Sequence, residues 1–329
     1  MQPTPGDVHV NTPLTNISIA YLQDRTQFIA DQVFANIPVD KQSDVYYEYD
    51  RGFFNRDEME VRAPGTESKG SGYAVSTSPY YAPVFAFHHD IPDQRRANAD
   101  SMLNQDREAT ELVTMKAMLK RERLWLSAYF TTSIWTSQRV GDPTPTGTQF
   151  LHWSDPTSTP IEDIRAAMTD VQELTGFRPN TLTLDQRTAD ALIDHPDIID
   201  RVKYGQTAAG ARSIAQIDMT DLQNLFKLER VLVSGAVENT AAEGAANVHA
   251  FMAGDNALLS YRPSSPGLMT PSAGYTFSWN GYMGAAPQGQ RIKRFRMENI
   301  ASDRIEIEMA FVHQLVSADL GFFFSNTLA

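Results

Sequence analysis

The chain has 329 residues, 42% hydrophobic and 21% charged, which is more than one core's worth of a soluble globular protein. Its net charge of −12 argues against a surface that grips nucleic acid by neutralising phosphates. It has no cysteine, so disulfides, thiolate metal sites and cysteine nucleophiles are excluded.

Met1-Gln2-Pro3-Thr4-Pro5 offers neither a basic nor an apolar leader segment. No apolar run approaches the roughly 18 residues that a membrane span needs, so a soluble product made in the cytosol is expected. Residues 1–42 read as an arm before they read as a domain. Pro3, Pro5 and Pro13 break the first stretch into extended pieces, and Val8 and Val10 alternate with polar neighbours. A short helix is expected over residues 26–34, with Phe28, Ile29 and Val33 as an apolar patch. An arm this apolar needs a surface to lie on, which is expected to belong to another subunit.

From residue 44 to residue 89 the pattern changes to strands. Val45-Tyr46-Tyr47-Glu48-Tyr49 opens an aromatic, β-favouring segment, and residues 76–87 close it with Tyr80, Tyr81, Val84 and Phe85. Between them, residues 63–72 are turn formers almost throughout. The simplest construction is a long two-stranded excursion with Lys69 in its flexible middle. A lone ribbon is marginal in water, so a neighbouring molecule is expected to support it.

Residues 100–130 contain no Pro or Gly and are dense in helix formers. Asp100 or Ser101 would cap a helix of about 31 residues, on the order of 46 Å long. Leu112, Met115, Leu119 and Leu126 form one stripe, and Val113, Ala117, Leu124 and Ala128 a second. Lys116, Lys120, Arg121, Glu122 and Arg123 are expected to leave one flank in water. This helix reads as a spine from which loops and a second lobe project.

Residues 141–147 are a linker. A helix follows over residues 160–175, with a capping box from Thr159 to Glu162, Pro160 in first position, Gly176 after the end, and an apolar stripe through Ile161, Ile164, Met168 and Val171. Strands and helices then alternate. Residues 181–184 read as a buried strand, 186–193, 196–202 and 219–226 as helices, and 229–233, 251–261 and 274–279 as strands. Arg304 to Met309 alternates polar and apolar, the mark of a half-exposed strand, and Leu320 to Phe324 is expected to tuck into packing.

Chemistry is sparse. His88-His89-Asp90 has metal-ligand composition, but adjacent strand residues face opposite ways. Asp57, Glu58 and Glu60 fit a solvated loop. No zinc-protease, nucleophile-elbow or phosphate-loop motif occurs. Arg291, Lys293, Arg294 and Arg296 form a basic run that reads as salt links between subunits, given Glu298, Asp303, Glu306 and Glu308 nearby, or as a phosphate-contacting patch.

The order of arm, two-stranded loop, spine helix, mixed lobe and returning strand resembles the major capsid protein of tailed bacteriophages, the Hong Kong 97-type fold. Carrying residues are Phe28 to Phe34, Pro38-Val39, Tyr46 to Asp50, Ala86 to Asp90, the helix with Leu112, Met115, Leu119, Arg121 and Glu122, and Arg178 to Leu184. The likeness spans nearly the whole chain and lies in element order rather than in any single motif. It implies an α+β fold with an N-arm (1–42), an E-loop (43–89) and a P-domain (90–178 with a returning strand near 297–317). An A-domain (179–296) would take the C-terminal segment 318–329.

The resemblance further implies hexamers and pentamers that close an icosahedral shell around double-stranded DNA, with no enzymatic activity and no cofactor. Implied partners are further copies of the chain, a separate scaffolding protein, a portal, in some relatives a decoration protein, and DNA held without sequence reading; no membrane is implied. The implied location is the virion capsid, assembled in the host bacterial cytoplasm. Expected contacts between subunits are Phe28, Phe34, Tyr80, Tyr81, Lys69, Arg291, Lys293, Arg294 and Arg296. Some relatives join an E-loop lysine to a neighbour's asparagine; Lys69 lies in the corresponding loop, and no asparagine or assisting carboxylate is matched. Two other readings stay open, a tail-tube subunit and an α+β hydrolase using His88 and His89.

Overall fold

The computed structural model describes residues 23–99, 104–205, 218–267, 269–283 and 289–329. Among them, the strands in chain order are β1 (Ala35–Val39), β2 (Ser43–Tyr49), β3 (Val75–Tyr81), β4 (Val84–Pro92), β5 (Ser137–Val140), β6 (Thr181–Asp185) and β7 (Arg230–Ser234). They continue with β8 (Val237–Asn239), β9 (His249–Phe251), β10 (Ala257–Ser260), β11 (Gly274–Trp279), β12 (Gln290–Met297), β13 (Ser302–Leu315) and β14 (Gly321–Ser325). With the helices between them they make an α+β fold built on two five-stranded sheets and two ribbons, β2–β3 and β8–β9.

The first sheet is organised by β13, a 14-residue strand. β12 and β4 flank its first part, Ser302–Met309, on either side, β11 pairs with Phe311–Leu315, and β1 adds in parallel to β11. Ile305, Ile307, Met309 and Phe311 point to one face and meet Ala109, Val113 and Ala117 of the spine helix. Arg304 and Glu306, one residue out of phase, take the opposite face. The alternation expected at 304–309 is thus the packing of one face against a helix.

The spine helix runs over Gln105–Tyr129, 25 residues or about 37 Å. Asn104 caps it, its side chain accepting the Arg107 N–H at 3.0 Å. The expected caps Asp100 and Ser101 lie outside the described residues. The buried positions are Ala109, Val113, Ala117, Arg121, Glu122, Trp125 and Leu126. Val113 and Ala117 therefore lead the core face, whereas Leu112 is exposed and Met115 and Leu119 are half-buried. Arg121 and Glu122, expected on the wet flank, are inside; the narrow face that fits between sheet and arm takes alanine in preference to leucine.

The second sheet has the order β5-β14-β10-β6-β7. Its core joins Phe150, Trp153 and the helix Pro160–Thr175 (through Ile161, Ile164, Met168 and Val171) to Leu182, Leu184, Leu259, Phe322 and Phe324. That helix begins at Pro160 and ends at Gly176 with φ +81°, but the Thr159 side chain makes no cap bond. A reciprocal cap forms instead on the helix Met219–Phe226, where the Asp221 carboxylate accepts the Asp218 N–H at 3.1 Å. The C-terminal β14 lies inside this sheet, every residue buried, and a Cβ on Gly321 would run into the Trp135 ring.

A boundary at residue 178 therefore passes through one hydrophobic core, since β5 and the helix Pro160–Thr175 belong with β6, β10 and β14. Residues 179–296 are also divided: they give β6, β7 and β10 to the second sheet, but β11 and most of β12 to the first. Strand periodicity tells which face is buried, not which sheet a strand joins.

Candidate assembly surfaces

The described end of the arm is held by its own subunit. Phe28, Ile29, Ala30, Val33 and Phe34 are buried, and Phe34 packs edge-on against Trp125 with ring centroids 5.9 Å apart. Glu122, fully buried, reaches from the spine helix to the short helix Ala30–Val33. One carboxylate oxygen accepts the N–H of Ile29 at 2.9 Å and of Ala30 at 2.8 Å, and the other accepts the Ser234 hydroxyl at 2.9 Å. Burial pushes the Glu122 carboxyl up from its ordinary value against the pull of those donors. Beside it Arg121 pairs with Asp31 at 2.6 Å and lies over the Phe311 ring. Phe28 and Phe34, expected at contacts between subunits, are therefore buried in their own subunit, and Phe34 packs on the spine helix. Sequence reasoning missed Glu122 and Arg121; the four-residue rhythm Ala109, Val113, Ala117, Trp125 includes position 121 and is the signal that could have shown Arg121 facing inward.

The β2–β3 ribbon is fixed at its base and bare beyond it. Tyr80 stacks on Phe277 of the first sheet at 4.6 Å and 20°, with Tyr46 at 5.7 Å from the same ring. Tyr80 is thus buried in its own subunit, another correction to the expected contact set. The ribbon's far strand also ends earlier than expected: β3 stops at Tyr81, Ala82-Pro83 breaks the run, and β4 leaves to pair with β13. Past β2, residues 51–74 are exposed except for half-buried Glu58, with Met59 at 93% and Val61 at 102%. Tyr49, Phe54 and Tyr73 gather at 5.7 to 6.3 Å without being covered. Arg51 pairs with Asp319 at 2.7 Å, and inside the loop Lys69 pairs with Glu60 and Arg56 with Glu58 at 3.6 Å. Tyr81 is 60% exposed.

The basic run lies on β12 and meets its partners within the subunit. Arg291 and Lys293 share Glu308 at 2.8 and 2.7 Å, and Arg294 bridges Asp106 and Asp303 at 3.1 and 3.0 Å. Arg296 forks onto Asp93, and across the sheet Arg304 forks onto Asp90 at 2.7 and 2.8 Å. These guanidinium groups hold Asp90, Asp93 and Asp303 below the usual carboxylate range. Partial burial works against the same effect at Glu308, yet Lys293 and Arg291 prevail. The salt links expected between subunits are therefore seen here stapling β12, β13, β4 and the start of the spine helix.

His88 and His89, the adjacent pair singled out in the sequence, do not converge on one site. His88 pairs across the ladder with Glu306 and His89 with Ile305, placing the two rings on opposite faces of β4. Among the described residues no group of three or more His, Asp or Glu could hold a metal ion. No helix of the described residues is long and apolar enough to cross a membrane. The long spine helix is also the element a tail-tube subunit should lack.

No family model matches the chain. It is 30% identical over 325 residues to the major capsid protein of Pseudomonas phage JBD67, with 97% of each covered. A phage-related protein from Bordetella bronchiseptica shares its fold at a TM-score of 0.67, 20% identity and 93% coverage of each chain. The capsid structure of the cyanophage P-SCSP1u does so at a TM-score of 0.61 and 11% identity, covering 100% of this chain and 96% of that one. The fold is the Hong Kong 97-type capsid fold. The chain belongs to the family of phage major capsid proteins.

Proposed function

We propose that this capsid protein forms hexamers and pentamers that close an icosahedral shell around double-stranded DNA, with residues 51–74 bridging subunits. The carrying observation is the bare surface of Met59, Val61, Phe54 and Tyr73, large apolar side chains on a ribbon whose own subunit covers only its base. Burying them on a neighbour gains about 25 cal/mol per Å² of apolar surface, divided over many symmetric contacts so that misplaced subunits can still leave. On this reading the E-loop is β2, β3 and the residues between. The P-domain is the first sheet with the spine helix, and the A-domain is the second sheet with its helices.

The role is structural, without catalysis. A separate scaffolding protein, a portal and, where present, a decoration protein are its partners, and the protein resides in the virion capsid after assembly in the host bacterial cytoplasm. The net charge of −12 supports an inner wall over which DNA slides without being gripped. Lys69 and Tyr81, both exposed, are the expected contacts that remain open to a neighbour. Electron microscopy of the protein expressed with its scaffold tests this reading: spherical shells tens of nanometres across are expected, whereas rods or only a small closed oligomer would overturn it.

A further inference from the structure

The β2–β3 ribbon is tied to its own subunit at two separated points. The first is its base, where Tyr46 and Tyr80 pack on Phe277 in a cluster that includes Val312 and Val316. The second lies five residues beyond Tyr46, where the Arg51 guanidinium meets the Asp319 carboxylate at 2.7 Å. Among the described residues this is the only hydrogen bond or ion pair that leads from residues 50–74 to a residue outside the ribbon. Both partners stand on fixed ground. Asp50 caps the short helix Arg51–Phe54, its carboxylate accepting the Gly52 N–H at 2.9 Å, which sets the backbone that carries Arg51. Asp319 sits in the turn Ala318–Leu320. There the Ala318 carbonyl accepts the Thr136 N–H at 3.4 Å, the Leu320 carbonyl accepts the Tyr261 N–H at 3.0 Å, and the Leu320 side chain is buried in the core that includes Trp125 and Phe323.

We propose that Arg51 and Asp319 aim the loop, fixing the line on which residues 52–74 leave the subunit towards a neighbour. A ribbon held at its base alone can swing; a second tie up to about 16 Å further along an extended chain removes that freedom. The pair does not park the loop out of use, because Phe54, Met59 and Tyr73 remain exposed while it is made. It is therefore a positioning contact for the bridging loop, and it rests on the shell-building reading. A loop that already points where the neighbour will stand gives up less freedom on docking. The Arg51 and Asp319 side chains are 42% and 29% exposed, and a surface pair of this kind shifts a local equilibrium about two- to fivefold. That leaves the folding of the subunit almost untouched, but the factor recurs with every subunit that joins a capsomer.

The absence of cysteine lets two spin labels report the loop's direction on the unassembled protein. Glu67→Cys in the loop and Arg165→Cys on the helix Pro160–Thr175 are both exposed positions that take no part in the pair. The distance distribution between them should be narrow in the otherwise wild-type chain, at least double in width with Asp319→Asn, and narrow again when Arg51→Glu is combined with Asp319→Arg. Without labels, Asp319→Asn should slow the appearance of shells at least tenfold by light scattering, with an unchanged thermal melt, and the exchanged pair should recover the rate. An unchanged width with Asp319→Asn, an unchanged assembly rate, or a thermal melt that falls in step with the rate would overturn the proposal. A wild-type chain that makes no shells would count against the capsid reading instead, and the label widths would still decide whether this pair aims the loop.

Discussion

Replacing Glu122 by alanine removes the acceptor for three donors at once, the N–H groups of Ile29 and Ala30 and the hydroxyl of Ser234, at a site with no access to water. Each buried donor left without a partner costs about 1 to 3 kcal/mol, and the lost side-chain contacts add to that, though not independently. An overall loss of about 3 to 5 kcal/mol is expected, a large share of a typical domain's stability. Glu122→Gln should behave differently, because its carbonyl oxygen can serve both backbone donors and its amide can face Ser234. Burial already disfavours the ionised carboxylate, so removing the charge should cost under about 1 kcal/mol near neutrality. The sign with pH follows from the raised folded value. The native state holds its proton more tightly than the unfolded one, so the wild type should gain stability over Glu122→Gln as pH falls towards the ordinary glutamate value of 4.5. Chemical denaturation with both variants, across pH, measures all three quantities. Alanine costing under about 1 kcal/mol, or glutamine costing as much as alanine, would refute the idea that this carboxylate fastens arm to spine.

His313 is buried against Phe34, Phe311 and Arg121, its Nδ1 2.8 Å from the Thr276 hydroxyl, and burial depresses its pKa to about 3. Below about 6.5 the unfolded chain takes up a proton that the native state refuses, so stability should fall from there towards pH 3; His313→Asn should flatten that slope in thermal melts. The carboxylates of Asp90, Asp93 and Asp303 are held low, so their contribution is present above the ordinary value of 3.8 and lost as pH drops through their folded values. Arg294→Gln, Arg296→Gln and Arg304→Gln together should weaken that acid limb, and salt should narrow the difference from wild type. Gly321→Ala forces a methyl group into Trp135 and should cost about 1 to 3 kcal/mol by denaturation, with the loss falling on the second sheet.

Much of the fold is legible in the residues because local signals agree with the final packing. Pro160 and Gly176 bracket their helix, and β11 and the helix Met219–Phe226 fall at the positions their patterns indicate. The spine helix is plain from composition, but its buried face is not. Helical periodicity weighs leucine over alanine, and the space between sheet and arm admits Ala109, Val113 and Ala117 while leaving Leu112 outside. Buried ions are harder still: Glu122 and Arg121 look like solvated charges until the arm's amides and Asp31 are placed against them. Pro83 marks the break between β3 and β4, which the aromatic run around it hides in the sequence. Phe28, Phe34 and Tyr80 show the general limit, since an apolar side chain in an arm or ribbon looks the same whether its cover comes from its own subunit or from the next.

A high-resolution image of assembled particles tests the central claim most directly, by showing where residues 51–74 lie. The account predicts closed icosahedral shells in which Met59, Val61 and Tyr73 lose their exposure against a neighbouring subunit, and in which an otherwise folded protein lacking residues 65–72 no longer closes. Shells in which those side chains stay bare, or that form normally from the shortened chain, would contradict it.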